Sequence, residues 1–410
     1  ETNIRVHLFS DNGTVDVLFP RDMTIEKFIN DILMVVFFFT VGLEIKREVS
    51  SGELSSVKKA LLPIIAAFGG VIAPAVIYTV INHGTLAASG WGIPTATDIA
   101  FAVCILSMLG DKVPVSLKVF LTALAIADDL IAILVVALFY GGNINLELLG
   151  MAALVIIVTL LLRKVGEKKM FPYIVCAFLV WVLFYYSGIH ATMSGVVMAF
   201  LIPSAPRYNK AQYVRKRNHY IAMLEKYEGI DNESFPNGPQ KHCLRRLEKV
   251  AHGTMDMSYR VEHSLSPWVN FLIMPIFALA NAGVEISDAS YFNVFNYSPE
   301  LGSVSMGIFL GLLLGKPLGI TLFSWIAIKL KIGAMPDKAN WALFFAVACL
   351  GGIGFTMSIF VDTLSFANAP ADIMMHLRDA GKIAVLLGSV FSGVLGTILI
   401  LLFSGKKKTA

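Results

Sequence analysis

The sequence predicts an all-α polytopic membrane protein with an inverted repeat, in which two interrupted helices cross at the membrane midplane. Three observations predict this class. The 410-residue chain is 56% hydrophobic and only 15% charged, with a mean hydropathy of +0.71, and soluble domains are far less apolar. The apolar residues gather in stretches that approach the length of a membrane crossing. The lysines and arginines gather in alternate loops between these stretches.

Eleven apolar stretches are visible, although several are shorter than the roughly twenty residues that a transmembrane helix needs. We expect them within one membrane domain, residues 24–404, that is followed by a short tail over 405–410. The stretches run over residues 28–43, 61–81, 92–109, 119–140, 147–162, 171–188, 190–203, 267–283, 304–328, 341–361 and 382–403.

The loop charges predict the orientation of the chain in the membrane. Of the 33 lysines and arginines, 27 lie in one set of alternate loops, five lie in the other set, and Lys316 lies inside a stretch. Because cytoplasmic loops carry the excess of positive charge, we place the first set and the C-terminus in the cytoplasm. The longest of these loops, 205–266, is interpreted as a solvated loop with one helix near 241–250.

The N-terminal residues 1–23 predict a small external β-hairpin. Two alternating runs flank Asn12-Gly13, which is a strong signal for a tight hairpin turn. An isolated two-stranded hairpin is marginal in water and leaves unpaired edges. Pairing with a second copy across a two-fold axis would cover one edge, so we expect a homodimer through the hairpin. The alternative is a hairpin that lies flat on its own protomer.

Four ionisable residues lie well inside apolar stretches, where such groups are costly and usually functional, whereas Asp31 lies near the outer end of its stretch. They are Asp98, Asp128, Asp129 and Lys316. Neighbours on a helix diverge by about 100°, so Asp128 and Asp129 cannot grip one ion symmetrically. We expect one carboxylate to face a water-filled cavity and the other to pair with Lys316. The alternative for each group is a satisfied structural ion pair.

Two stretches carry residues that interrupt a helix. "GIPTATDIAF" (92–101) contains proline and two threonines, and "CLGGIGFTMS" (349–358) contains three glycines. Broken helices expose partial charges at their inner ends, which Asp98 and Lys316 would offset. Each interrupted stretch is the middle one of a group of three, and the two groups start from opposite sides of the membrane. This arrangement indicates an inverted repeat with a binding site near the midplane.

Seven motifs follow one another along the chain. They are "VGLEIKREV" (41–49), "TATDIAF" (95–101), "ALAIADDL" (123–130), "SGIHATMSGV" (187–196), "PIFALANAG" (275–283), "GKPLGI" (315–320) and "GIGFTMSIF" (352–360). In order and spacing the chain resembles the NhaA-type sodium/proton antiporters from about residue 24 to 403. The family has twelve spans, so the resemblance implies that one span precedes the hairpin. The 205–266 loop looks longer than in the best-known members of the family.

The resemblance implies roles for individual residues. The cation-binding and proton-carrying aspartate falls on Asp129, and its neighbour Asp128 falls on the partner of Lys316. Asp129 would be the main Na+ ligand, with Asp128 and Thr97 contributing, while Asp98 and Lys316 would compensate charge. The family's cytoplasmic pH-response cluster falls on Glu44, Arg47, Glu48 and Glu262.

The implied function is pH-regulated, electrogenic exchange of cytoplasmic Na+ or Li+ for external H+ in a bacterial inner membrane. No cofactor or nucleic acid is expected. A sodium-coupled symporter on a similar broken-helix fold and a passive channel are the transport alternatives. An intramembrane protease is disfavoured, because adjacent aspartates on one helix cannot face each other and the chain has no GxGD, GxSG or HExxH. The sequence therefore predicts a transporter rather than an enzyme.

Overall fold

The computed structural model is helical throughout most of the part of the chain that it describes. The predicted hairpin over residues 1–23 and the tail over 405–410 lie outside that part. The described residues are 25–141, 144–167, 169–206, 208–226, 236, 238–281, 283, 294–295, 302–366 and 370–404.

The helices of the described residues are numbered here in chain order. A 3₁₀ segment, Leu86–Thr95, precedes the helix that begins at Ile99. The helices are α1 Glu26–Ser50, α2 Val57–Ile81, α3 Ile99–Met108, α4 Val115–Phe139, α5 Leu146–Val165, α6 Met170–Ser187, α7 Met193–Leu201, α8 Lys210–Lys226, α9 Gly238–Thr254, α10 Met257–Asn281, α11 Val304–Lys329, α12 Trp341–Leu350, α13 Phe355–Ser365 and α14 Ala371–Ser404.

Eight helices of the described residues are long and apolar enough to cross a membrane, and two bent pairs raise the number to as many as ten. These coincide with ten of the eleven predicted stretches. The exception is 190–203, where α7 has only 9 residues. At 1.5 Å per residue it spans about 14 Å, less than half of a bilayer core. A turn after left-handed Gly188, with φ 85°, removes the first residues of that stretch from the helix.

Both predicted helix interruptions are present. The 3₁₀ segment and α3 are bent by 41°, and α12 and α13 are bent by 53°. The first break, at residues 96–98, follows directly after Pro94 and Thr95 and contains Thr97. The second break, at residues 351–354, contains the three glycines. The two breaks contact each other, because the backbone nitrogen of Asp98 donates to the carbonyl oxygen of Ile353 at 2.6 Å. This bond satisfies backbone groups that a continuous helix would have paired internally.

Helices α2 and α11 form the most extensively packed helix pair. Gly69 and Gly319 let their backbones approach closely, since a Cβ atom on Gly319 would lie 2.1 Å from the carbonyl oxygen of Gly69. Within α11, a wider π-helical turn over Gly311–Gly315 directly precedes Lys316; such turns are frequent at functional sites. The packing holds Lys316 beside α4, which also packs against α2.

Replacing Gly319 with alanine is expected to destabilise the protein, because the added methyl group cannot fit against Gly69. Overpacking of this kind costs about 1–3 kcal/mol. Gly150 is the matched control, since a Cβ atom there meets nothing within 4 Å and alanine is the better helix former. Thermal unfolding in mild detergent should show a lower midpoint for Gly319→Ala alone. Equal midpoints for both variants would contradict this account of the α2–α11 contact.

The long loop 205–266 is more structured than predicted. The helix expected near 241–250 is present as the longer α9, and a second helix, α8, packs against it. The loop also includes the start of α10. Helix α8 is polar on most positions and has no buried residue, so its sequence carries little hydrophobic periodicity from which it could be predicted.

Candidate functional site

Helix α4 carries the adjacent aspartates into the protein interior. Asp128 and Asp129 are each only 2% exposed, and the preceding segment, residues 123–127, is entirely buried and apolar. The helix continues through both carboxylates because its alanines and leucines are strong helix formers. The two side chains therefore leave α4 in different directions and have different surroundings.

Asp128 pairs with the buried lysine, as the sequence predicts. The Nζ atom of Lys316 forms an ion pair with Oδ2 of Asp128, and Lys316 is fully buried. The same ammonium donates to the hydroxyl oxygen of Thr97 at 2.5 Å. The Thr97 hydroxyl lies 2.6 Å from Oδ2 of Asp128 and 2.8 Å from the carbonyl oxygen of Gly351. Three predicted site residues thus meet where the two broken spans contact each other.

Asp129 has different surroundings. Its Oδ1 atom is buried and has no hydrogen-bond partner among the described residues, and the same holds for Oδ1 of Asp128. A buried carboxylate oxygen without a partner is costly unless a proton or a cation binds it. Within the described part of the chain, each of the two adjacent carboxylates therefore has one oxygen without a partner, and only Asp128 contacts an ammonium group. The water-filled cavity predicted beside one of them stays a prediction.

Asp98 lies between the inner ends of two half-helices. Its carboxylate accepts from the backbone nitrogen of Phe101 at 3.4 Å, in the first turn of α3. It also accepts from the backbone nitrogen of Thr356 at 3.1 Å, in the first turn of α13, and from the Thr356 hydroxyl. One negative charge thus faces the positive ends of both helices, which is the placement that the sequence predicts for Asp98.

The four residues of the predicted pH-response cluster also meet. Arg47 on α1 forms an ion pair with Glu262 on α10. Its guanidinium lies 3.3 Å from Glu48 and 3.7 Å from Glu44 on its own helix. Three carboxylates therefore share one arginine. The cluster joins α1 to α10.

Two buried charged groups of the described residues were not among the predicted site residues. Asp362 on α13 is fully buried, and neither carboxylate oxygen has a hydrogen-bond partner there. Gly381 leaves room for it, since a Cβ atom there would lie 2.0 Å from Oδ1. Lys46 bonds to three carbonyl oxygens at the end of α7. Asp362 lies one residue beyond the apolar stretch 341–361, and a slightly longer window would have included it.

Comparisons with known proteins show what the chain is similar to. Residues 6–400 match the family described as Na+/H+ antiporter 1. The chain is 43% identical over 371 residues to the Na+/H+ antiporter NhaA of Oleidesulfovibrio alaskensis, across 90% of this chain and 80% of that protein. It is 42% identical over 387 residues to NhaA of Helicobacter pylori, across 94% and 84%. The sodium proton antiporter MjNhaP1 of Methanocaldococcus jannaschii shares the fold, with a TM-score of 0.52, 17% identity and coverage of 93% and 86%.

Proposed function

The chain belongs to the Na+/H+ antiporter 1 family, and from that membership we propose that it exchanges cytoplasmic Na+ or Li+ for external H+. It is a multi-pass membrane protein. Its bacterial relatives favour an inner membrane, and the charge distribution favours a cytoplasmic C-terminus. One observation supports the site most strongly. Asp128 and Asp129 are both buried, yet only Asp128 contacts a cation in the described residues.

The exchange rests on competition at Asp129. Sodium is a hard cation that prefers oxygen ligands, and a carboxylate in a poorly solvated site binds either a proton or a cation. Asp129 is the main ligand in this proposal, and Oδ1 of Asp128 and the oxygen of Thr97 contribute. Because Asp128, Asp129 and Lys316 interact, their titrations are coupled and no proton belongs to one residue alone.

Alternating access would follow from the broken spans. In an inverted repeat, one half of the structure moves against the other around a fixed central site. The contact between residues 96–98 and 351–354 supports such a site, since Thr97 bonds to Gly351 and Asp98 bonds to Ile353 and Thr356. In this proposal Asp98 and Lys316 compensate charge around the site, and they carry no ion across the membrane.

Inside-out vesicles test the proposed exchange against symport. The vesicles are acidified inside by respiration, and a fluorescent pH probe reports the gradient. Adding NaCl or LiCl to the outer, cytoplasmic face should release protons and restore fluorescence. If the numbers of protons and Na+ ions exchanged differ, net charge crosses the membrane, so the exchange rate should depend on the membrane potential. A sodium-coupled symporter or a passive Na+ channel would release no lumenal protons in exchange for Na+, so the fluorescence would not recover on the same addition.

We also propose that the Arg47 cluster adjusts the pH response. Glu262 is buried among carboxylates that share Arg47, so protonation there would change the contact between α1 and α10. Glu262→Gln should shift the pH of half-maximal exchange while the maximal rate persists. Glu225→Gln, an exposed change on α8, is the matched control. Superimposable pH profiles for Glu262→Gln and the control would show that Glu262 does not adjust the pH response.

We also propose that two copies form a homodimer through the N-terminal hairpin. The alternating runs around Asn12-Gly13 would join two copies into one four-stranded sheet. Each protomer keeps its own Asp129, so deleting residues 4–19 should give monomers that still exchange ions. Light scattering in mild detergent measures the mass. A dimer that survives the deletion would show that another surface makes the main contact.

A further inference from the structure

A cavity of about 550 Å³ lies outside the transport site, between α8, α9 and the first turn of α10. Its size is within the range of small-molecule sites, about 300–1,000 Å³. The loop charges place it on the cytoplasmic side. The described residues that line it include no carboxylate, and its basic side chains come from all three helices. They are Lys216, Arg246, Lys249, His252 and Arg260.

We infer that this cavity binds a phosphate-bearing anion. Four permanent positive charges around one cavity repel each other unless an anion neutralises them. Arginine and lysine are the side chains that recognise phosphate oxygens, arginine through its planar fork and lysine as a point charge. Arg260 contributes an unsatisfied donor, since its Nε atom is buried and has no hydrogen-bond partner among the described residues.

The cavity has ordered walls. The backbone nitrogen of Tyr208 donates to the carbonyl oxygen of Gly253 at 2.9 Å, which joins the segment before α8 to the end of α9. Lys216 on α8 lies over the ring of Tyr208, with Nζ 3.9 Å from the ring centroid. Tyr220 adds a second phenol to the lining. This packing holds cationic side chains of three helices around one space.

The phosphate can come from a soluble compound or from an anionic lipid headgroup. The same two double variants test both sources. Arg246→Gln with Lys249→Gln removes two charges from the cavity. Lys241→Gln with Arg245→Gln removes two charges from exposed positions on α9 that do not line it. The matched pair separates a local site from general attraction of anions. Both double variants should exchange Na+ for H+ as the wild type does, which shows that they are folded.

Inorganic pyrophosphate is the soluble probe. Equilibrium dialysis at fixed ionic strength uses the full chain in phosphatidylcholine nanodiscs. The expected result is saturable binding to the wild type and to the Lys241/Arg245 variant. Losing two phosphate contacts should weaken binding to the Arg246/Lys249 variant by about tenfold or more. Equal weakening in both variants would overturn the inference, because it would show attraction by net charge alone.

Phosphatidylglycerol in the nanodiscs tests the lipid source. If a headgroup occupies the cavity, this lipid should raise the melting temperature of the wild type and of the control variant. It should raise that of the Arg246/Lys249 variant by much less. Binding of pyrophosphate without this lipid effect assigns the cavity to a soluble compound. If neither probe distinguishes the two variants, the cavity is not a phosphate site.

Discussion

Replacing Asp129 with asparagine is expected to reduce Na+-driven proton release to the background of vesicles that lack the protein. An amide cannot carry the proton, and it lacks the charge that holds Na+. The protein should remain folded, because a neutral amide is easier to bury than a carboxylate whose Oδ1 atom has no partner among the described residues. The thermal unfolding midpoint should equal or exceed that of the wild type.

The matched control for this variant is Asp111→Asn, the same chemical change at an exposed turn between α3 and α4. Both proteins are reconstituted at equal amounts and tested in the same vesicle assay. The control should exchange at the wild-type rate. Proton release at wild-type levels by Asp129→Asn would remove this residue from the transport site, and Asp128 would then become the principal candidate.

Replacing Lys316 with alanine should destabilise the protein more than Gly319→Ala or Asp129→Asn does. The variant leaves Asp128 fully buried without its ammonium partner. Breaking a buried ion pair costs about 3–5 kcal/mol in soluble proteins, and a hydrated site would lower that cost. Thermal unfolding in mild detergent should therefore show a much lower midpoint than for Asp129→Asn. Lys164→Ala, at an exposed position on α5, should melt like the wild type.

A second variant separates the lost charge from the lost volume. Adding Asp128→Asn to Lys316→Ala removes the unpaired charge, so part of the lost stability should return. Failure to recover would mean that the cavity left by the lysine side chain, and not the bare carboxylate, explains the loss. Equal melting temperatures for Lys316→Ala and the wild type would contradict the pairing itself.

The sequence predicted the features that depend on local composition. Asp128 and Asp129 were identified because charge inside an apolar stretch is rare. The breaks near Asp98 and Gly351 followed from proline, threonine and glycine, which interrupt helices wherever they cluster. The contact between Asp98 and Thr356 joins positions 258 residues apart, and no periodicity along the chain reports on it. From the inverted repeat inferred from the sequence, we could predict only that the two breaks would cross.

Other features were missed for physical reasons. Asp362 lies one residue beyond the predicted stretch 341–361, so it was not counted among the ionisable groups inside the membrane. Helix α8 lacks a buried face, and amphipathic periodicity is the main signal for a soluble helix. The basic cavity depends on side chains of three helices, such as Lys216, Arg246 and Arg260, and only the folded structure brings them together. Only the family resemblance suggested the proposed role of Glu262, which is 215 residues from Arg47.

Proton release on Na+ binding tests the central claim most directly, namely that both ions compete for the carboxylate of Asp129. Purified protein in detergent is titrated with NaCl by calorimetry in two buffers of different ionisation enthalpy, at several pH values. Each bound Na+ should displace protons, and the affinity for Na+ should fall as the pH falls. Asp129→Asn should show no heat of Na+ binding. Sodium binding that releases no protons and is independent of pH would contradict the claim.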